Sequence, residues 1–136
     1  MTTAIPLTLH LLVLIGLYEL AAGFAGFTGR IDWMAMLDEF EQSPALTFVT
    51  GFAAFAIGGA LTLSHHHWTD VLAIIVSAVG CIVLVEGLLI MTIGRPLLTL
   101  SRGLVGNQRL VSIFAMAFGA TLILLGLIGR ADPTLM

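Results

Sequence analysis

Two glutamates carry the most chemical information in this chain. Glu19 and Glu86 each stand inside a run of about twenty apolar residues. Each lies roughly 12–16 Å along a helix from the Gly-Arg pair that closes its run. A charged side chain at that depth costs about 3 kcal/mol on insertion scales, so it faces other helices or a water-filled cavity. No cation lies within either run, so at least one carboxyl is expected to keep its proton at neutral pH. The two could also share one. Three readings are open. The pair forms a proton or cation site between helices. Alternatively, each is a neutral acid hydrogen-bonded across helices to its counterpart, to Tyr18 or to a Thr or Ser. In the third reading they meet another subunit.

The histidines form a second constellation. His65, His66 and His67 follow the second apolar run, His10 begins the first, and Asp70 comes shortly after the triplet. Imidazole and carboxylate suit Zn²⁺ or Cu²⁺. Consecutive residues on a helix diverge by about 100°, so two of these histidines with His10 or Asp70 are the most that one ion could use. A solvated interfacial turn and a pH sensor are the other readings. A haem is a poor fit to this one-sided cluster, and no other cofactor is expected. Cys81, the single cysteine, sits among apolar residues and is expected to be inert. With no Ser-His-Asp set, phosphate-cradling glycine loop or HExxH, no enzymatic activity is expected.

The elements that position these groups follow from composition. Of 136 residues, 59% are hydrophobic and 10% charged, and mean hydropathy is +1.10. A soluble domain carries about 25% charged residues. Lysine is absent, and a net charge of −3 without a basic stripe argues against nucleic acid. Four runs, Leu7–Phe27, Ala45–Leu63, Val71–Ile93 and Leu110–Ile128, have the length of membrane-spanning helices and lack the alternation of barrel strands. The first has no positive segment before it and contains Glu19, so it is read as a retained helix. Spans two and three are joined by the short Ser64–Asp70 and are expected to be antiparallel neighbours. The longer connectors, Gly29–Pro44 and Gly94–Arg109, both begin Gly-Arg and carry periodic apolar residues. They are Ile31, Met34, Leu37 and Phe40 in one, and Leu97, Leu100 and Leu104 after Pro96 in the other. Amphipathic helices in the headgroup plane account for both. Trp33 and Trp68 are interface anchors on opposite faces.

The two halves are parallel in pattern. LYEL at 17–20 and LVEG at 84–87 each place a Glu in an odd-numbered span, and Gly29-Arg30 and Gly94-Arg95 close those spans. The expected fold is therefore all-α: a four-transmembrane-helix bundle made of two parallel helix–interfacial helix–helix repeats. It forms one membrane domain over 1–136, with repeats at about 5–64 and 70–130.

The second unit, LVEGLLIMTIGRPLLTLSRGL followed by NQRLVSIFAMAFGATLILLGL, resembles the short two-helix inner-membrane proteins of the YjeT type in bacteria. The resemblance covers Val83–Leu127, and Leu17–Leu63 more loosely. The first unit has Glu19-Leu20 where the pattern has Glu-Gly, and its connector is acidic. The resemblance implies a tandem duplication of that family, which carries no established activity. It also implies, as a partner class, the band-7 regulators of membrane proteases.

Arg30, Arg95, Arg102 and Arg109 lie on the connector side, and Arg130 on the side of the termini. This bias predicts cytoplasmic connectors and external termini in a bacterial inner membrane. Glycines recur at heptad spacing in every span: Gly16 and Gly23, Gly51 and Gly58, Gly80 and Gly87, Gly119 and Gly126. Such stripes let backbones approach where lipid offers no hydrophobic drive for association. A glycine-lined pore is the alternative. The leading functional expectation is a non-enzymatic accessory or interaction subunit, as a homo-oligomer or within a larger membrane complex. A minimal proton- or cation-coupled transporter using Glu19 and Glu86 is second, and an outer-face metal-binding protein third.

Overall fold

The computed structural model describes residues 2–3 and 6–131, and the outermost positions of the expected domain lie outside them. Six helices follow in order: α1 Pro6–Phe27, α2 Trp33–Gln42, α3 Pro44–Ser64, α4 Val71–Ile93, α5 Arg95–Val105 and α6 Gln108–Ile128. Two-residue strands flank them. In β1 and β2 Thr2 pairs with Arg130 and Thr3 with Ala131, tying the two ends of the described chain together. Helices α1, α3, α4 and α6 have 21–23 residues, about 32–35 Å each, long and apolar enough to cross a bilayer. Their ends fall within two residues of the expected spans. The protein is a small multi-pass membrane protein.

The corners are fixed by side chains. Asp32 Oδ1 accepts hydrogen bonds from the Met34 and Ala35 N–H groups and starts α2. Ser43 alone separates α2 from α3. Its N–H donates to Glu39 O, its Oγ accepts from Leu46 N, and Pro44 follows at the first helical position. Asp70 Oδ1 caps α4 through Ala73 N, and Asn107 Oδ1 caps α6 through Leu110 N. Gly29, at φ +71°, closes α1 in a conformation that favours glycine.

The spans pack as two tight antiparallel pairs, α1 along α6 and α3 along α4. The eight heptad glycines are all buried and line these two seams. A Cβ on Gly16 would stand 2.6 Å from Gly119 O, one on Gly23 2.8 Å from Ser112 O, and one on Gly126 2.8 Å from Leu9 O. In the other pair a Cβ on Gly58 would fall on the Leu84 backbone and one on Gly87 on that of Phe55. Gly51 lies against Gly87 O and Met91, and Gly80 against Leu61 and Thr62. Each tight pair therefore joins one span from each half of the chain, so the close helix packing does not lie within a half. The pairs meet near the termini, where Leu12, Leu72, Val76 and Leu122 form a buried core across α1, α4 and α6. At the other end α2 and α5 lie against each other and against the spans.

Candidate functional site

Glu86 projects from α4 one residue before Gly87, about 100° round from the seam, and is exposed. It borders a vestibule of about 300 Å³ that the two amphipathic helices help to enclose. Tyr18 of α1, Trp33 and Phe40 of α2, Thr50 of α3 and Ser101 of α5 line the same space. A second, more open hollow of about 480 Å³ runs between α4 and α5 along Ile82, Val85, Leu89, Leu100 and Leu104, with Cys81 at its edge. Glu86, Leu97 and Ser101 border both spaces. The carboxyl thus stands at the threshold between the vestibule and an apolar lateral groove. Among the described residues it makes no hydrogen bond or ion pair.

Glu19 is placed differently. It is half-buried beside the α1–α6 seam, where its Cβ lies 3.1 Å from the position a Cβ on Gly119 would take. Its carboxyl likewise has no partner among the described residues. The two glutamates border no common cavity there, and neither bonds to Tyr18 or to a hydroxyl of α3 or α6.

At the terminal end a solvated turn was one of the readings the sequence left open for the histidines, and His65 departs from it. It is fully buried. As the C-cap of α3 it takes an extended backbone, φ −148° and ψ 96°, which turns the chain in toward α1 and α4. Its Nε2 lies 2.7 Å from Thr8 Oγ1 and its Nδ1 3.1 Å from Ser77 Oγ. Ser77 Oγ donates to His67 O at 2.8 Å, so Nδ1 is assigned the proton that reaches Ser77, and Nε2 accepts from Thr8. Thr3 Oγ1 adds to this network with a bond to Asp70 Oδ2 at 2.9 Å. Burial holds the His65 pKa below the ordinary histidine value, helped by His67 and opposed by Asp70.

The network thus ties α1, the His turn and α4 together. His66 and His67 stack at 5.5 Å, while His65 and His67 meet edge to face at 5.2 Å. His10 points away on the exposed side of α1, its Nδ1 3.0 Å from Pro6 O. Both nitrogens of His65 are engaged, Asp70 caps α4, and no three His, Cys, Asp or Glu gather as a metal set among the described residues.

Two further residues hold the connector end, and the sequence reading did not single them out for it. Arg102 of α5 reaches across to α2, with Nε 3.0 Å from Glu41 Oε1 and Nη2 paired with Asp38 Oδ1. Hydrogen bonds to Glu41 and Asp38 push the guanidinium pKa further up, so Arg102 stays charged. Gln108, first residue of α6, donates from Nε2 to Gly26 O and Ile31 O and accepts from Trp33 N. One amide thereby satisfies three backbone groups at the α1–α2 corner. Opposite charges at 38, 41 and 102 were the one signal in the sequence, but only the fold sets α2 against α5. The chain matches no family model, no curated protein and no solved structure.

Proposed function

We propose that the protein is a non-enzymatic accessory subunit of a bacterial inner-membrane complex, acting by association within the bilayer. The observation that carries this reading is the pair of glycine seams. Each brings two backbones together along the length of the spans, which favours a rigid scaffold over a pore lined by the same glycines. Large apolar side chains such as Phe48, Val49, Phe52, Phe114 and Leu124 remain outward, available to lipid or to a neighbouring subunit. The YjeT-type resemblance of the second half supports the same role and points to band-7 proteins as a partner class. The arginine bias supports cytoplasmic connectors and external termini.

A duplicated origin is supported by the seams. Gly16 on Gly119 has its counterpart in Gly87 on Gly51, and Val13 at Gly126 in Leu84 at Gly58. Gly16 and Gly87, like Val13 and Leu84, stand 71 positions apart, and Gly51 and Gly119 stand 68 apart. That register sets Glu86 opposite Ile15, one helical turn away from Glu19, so the two glutamates are not equivalent in packing. A second reading, proton- or cation-coupled transport, is favoured by the Glu86 carboxyl at the vestibule, which has no partner among the described residues.

The subunit reading is tested in native membranes with a photoreactive side chain at Phe114, which is 74% exposed on α6. A discrete protein adduct is expected. Labelling of lipid alone, at Phe114 and equally at Phe52, would contradict it.

A further inference from the structure

The vestibule combines features that scaffolding does not require. It offers one carboxylate, at Glu86, with no partner among the described residues. It offers three aromatic rings, from Tyr18, Trp33 and Phe40, whose faces attract cations. The neighbouring groove between α4 and α5 is lined by branched aliphatic side chains and opens laterally, where acyl chains would lie. Nearby cations do not neutralise the site. Arg102 is taken up by Asp38 and Glu41, and Arg95 borders separate hollows that also contain Glu41. Among the residues that line the vestibule Glu86 alone is acidic or basic, which disfavours an anionic headgroup there. A bare metal cation would need several oxygen ligands, and here a single carboxylate is backed only by hydroxyls. Of these, the Ser101 hydroxyl already donates to Leu97 O.

We propose that the vestibule binds a lipophilic organic monocation, a hydrophobic amine or a quaternary onium ion. Its charge sits between Glu86 and the aromatic rings, and its apolar substituents extend into the α4–α5 groove. Such a ligand partitions into the bilayer and enters sideways past Leu100 and Leu104 without crossing the glycine seams. The Glu86 carboxylate supplies the counter-charge, and the groove selects against small hydrated cations. The site lies within a single chain, so it does not depend on assembly with a partner.

The test uses tetraphenylphosphonium as the probe and the purified full chain in mild detergent, with binding followed by equilibrium dialysis. Saturable binding near one cation per chain is expected. Glu86→Gln should weaken it by at least about tenfold. Glu39→Gln, on the exposed side of α2, should leave it unchanged. The neutral triphenylphosphine oxide should fail to compete. Trp33→Leu and Tyr18→Leu provide a second arm and should each weaken binding several-fold, with thermal unfolding confirming that the variants remain folded. Absence of saturable binding by the native chain would overturn the proposal. So would unchanged affinity in Glu86→Gln, or unchanged affinity in both aromatic variants.

Discussion

Gly16 of α1 and Gly119 of α6 stand so close that a Cβ on either would lie 2.6 Å from the carbonyl oxygen of the other. In water such a contact would be one small part of a hydrophobic core. In lipid it is the means of association, because hydrocarbon tails compete equally for every apolar side chain and only close packing distinguishes a helix from its solvent. The same relation recurs between Gly51 and Gly87 in the second pair.

Gly16→Leu, Gly23→Leu, Gly51→Leu and Gly119→Leu are each expected to destabilise the bundle. Overpacking costs about 1–3 kcal/mol in soluble cores, and the bilayer supplies no offsetting hydrophobic gain. Gly58→Leu and Gly87→Leu should be the most damaging, since the added Cβ falls on the Leu84 and Phe55 backbones respectively. Thermal unfolding in detergent is the measurement, with Leu88→Ala at an exposed position as the mild control. Equal tolerance at all sites would contradict the seams.

The His65 network makes stability pH-dependent. Burial lowers the His65 pKa in the folded state, so the unfolded chain binds a proton that the folded chain resists. This contribution is fully present above the ordinary histidine pKa of about 6.5 and is lost as the pH falls below it. His66, His67 and Asp70 are the titratable groups facing it, and Asp70 opposes the loss. The melting temperature should therefore drop from pH 7 to pH 5, and His65→Gln should flatten that dependence. His66→Gln should leave the slope in place.

Thr8→Val removes the hydroxyl that meets His65 Nε2 inside the bundle. Leaving a buried polar group unpaired costs about 1–3 kcal/mol. Ser77→Ala should cost a similar amount, and the double variant should lose less than the sum, because both act on one network. Additive losses would show that the hydroxyls act independently.

Arg102→Gln should free α2 from α5. The expected outcome is faster amide exchange over Trp33–Gln42 with little change in the four spans. The difference should shrink at high salt, where exposed ion pairs are screened. Uniform exchange between native and variant chains would show that apolar contacts of Leu37 and Leu98 hold the connectors without the ion pair.

A cysteine at Asp38, in a Cys81→Ser background, should react with a membrane-impermeant reagent only from the cytoplasmic side. Labelling from outside in intact cells would reverse the orientation and put the His turn inside.

Much of this architecture was legible in the sequence, because in a membrane protein length and polarity are strong constraints. Nearly uncharged apolar runs located the spans to within two residues, periodic apolar residues and Pro96 marked the connector helices, and the heptad glycines marked buried faces. Partner choice was not legible. Gly16 has the same local signature whether it meets α3 or α6, and only the assembled bundle sets it against Gly119. The glutamates were found as positions but not as environments. One residue of helical phase separates Glu86 from Gly87, and that step carries its side chain from the seam into the vestibule. His65 was hidden for a similar reason. Its burial depends on Thr8 and Ser77, isolated hydroxyls in two other helices that no local pattern connects.

The central claim, that this bundle works as a subunit within the membrane, is tested most directly by native mass spectrometry. The protein should be released from its own membrane in mild detergent. Species well above the 14.4 kDa of a single chain are predicted, either integer multiples of that mass or a defined complex with another membrane protein. A lone 14.4 kDa chain with lipid adducts only, across mild detergents and concentrations, would contradict the account.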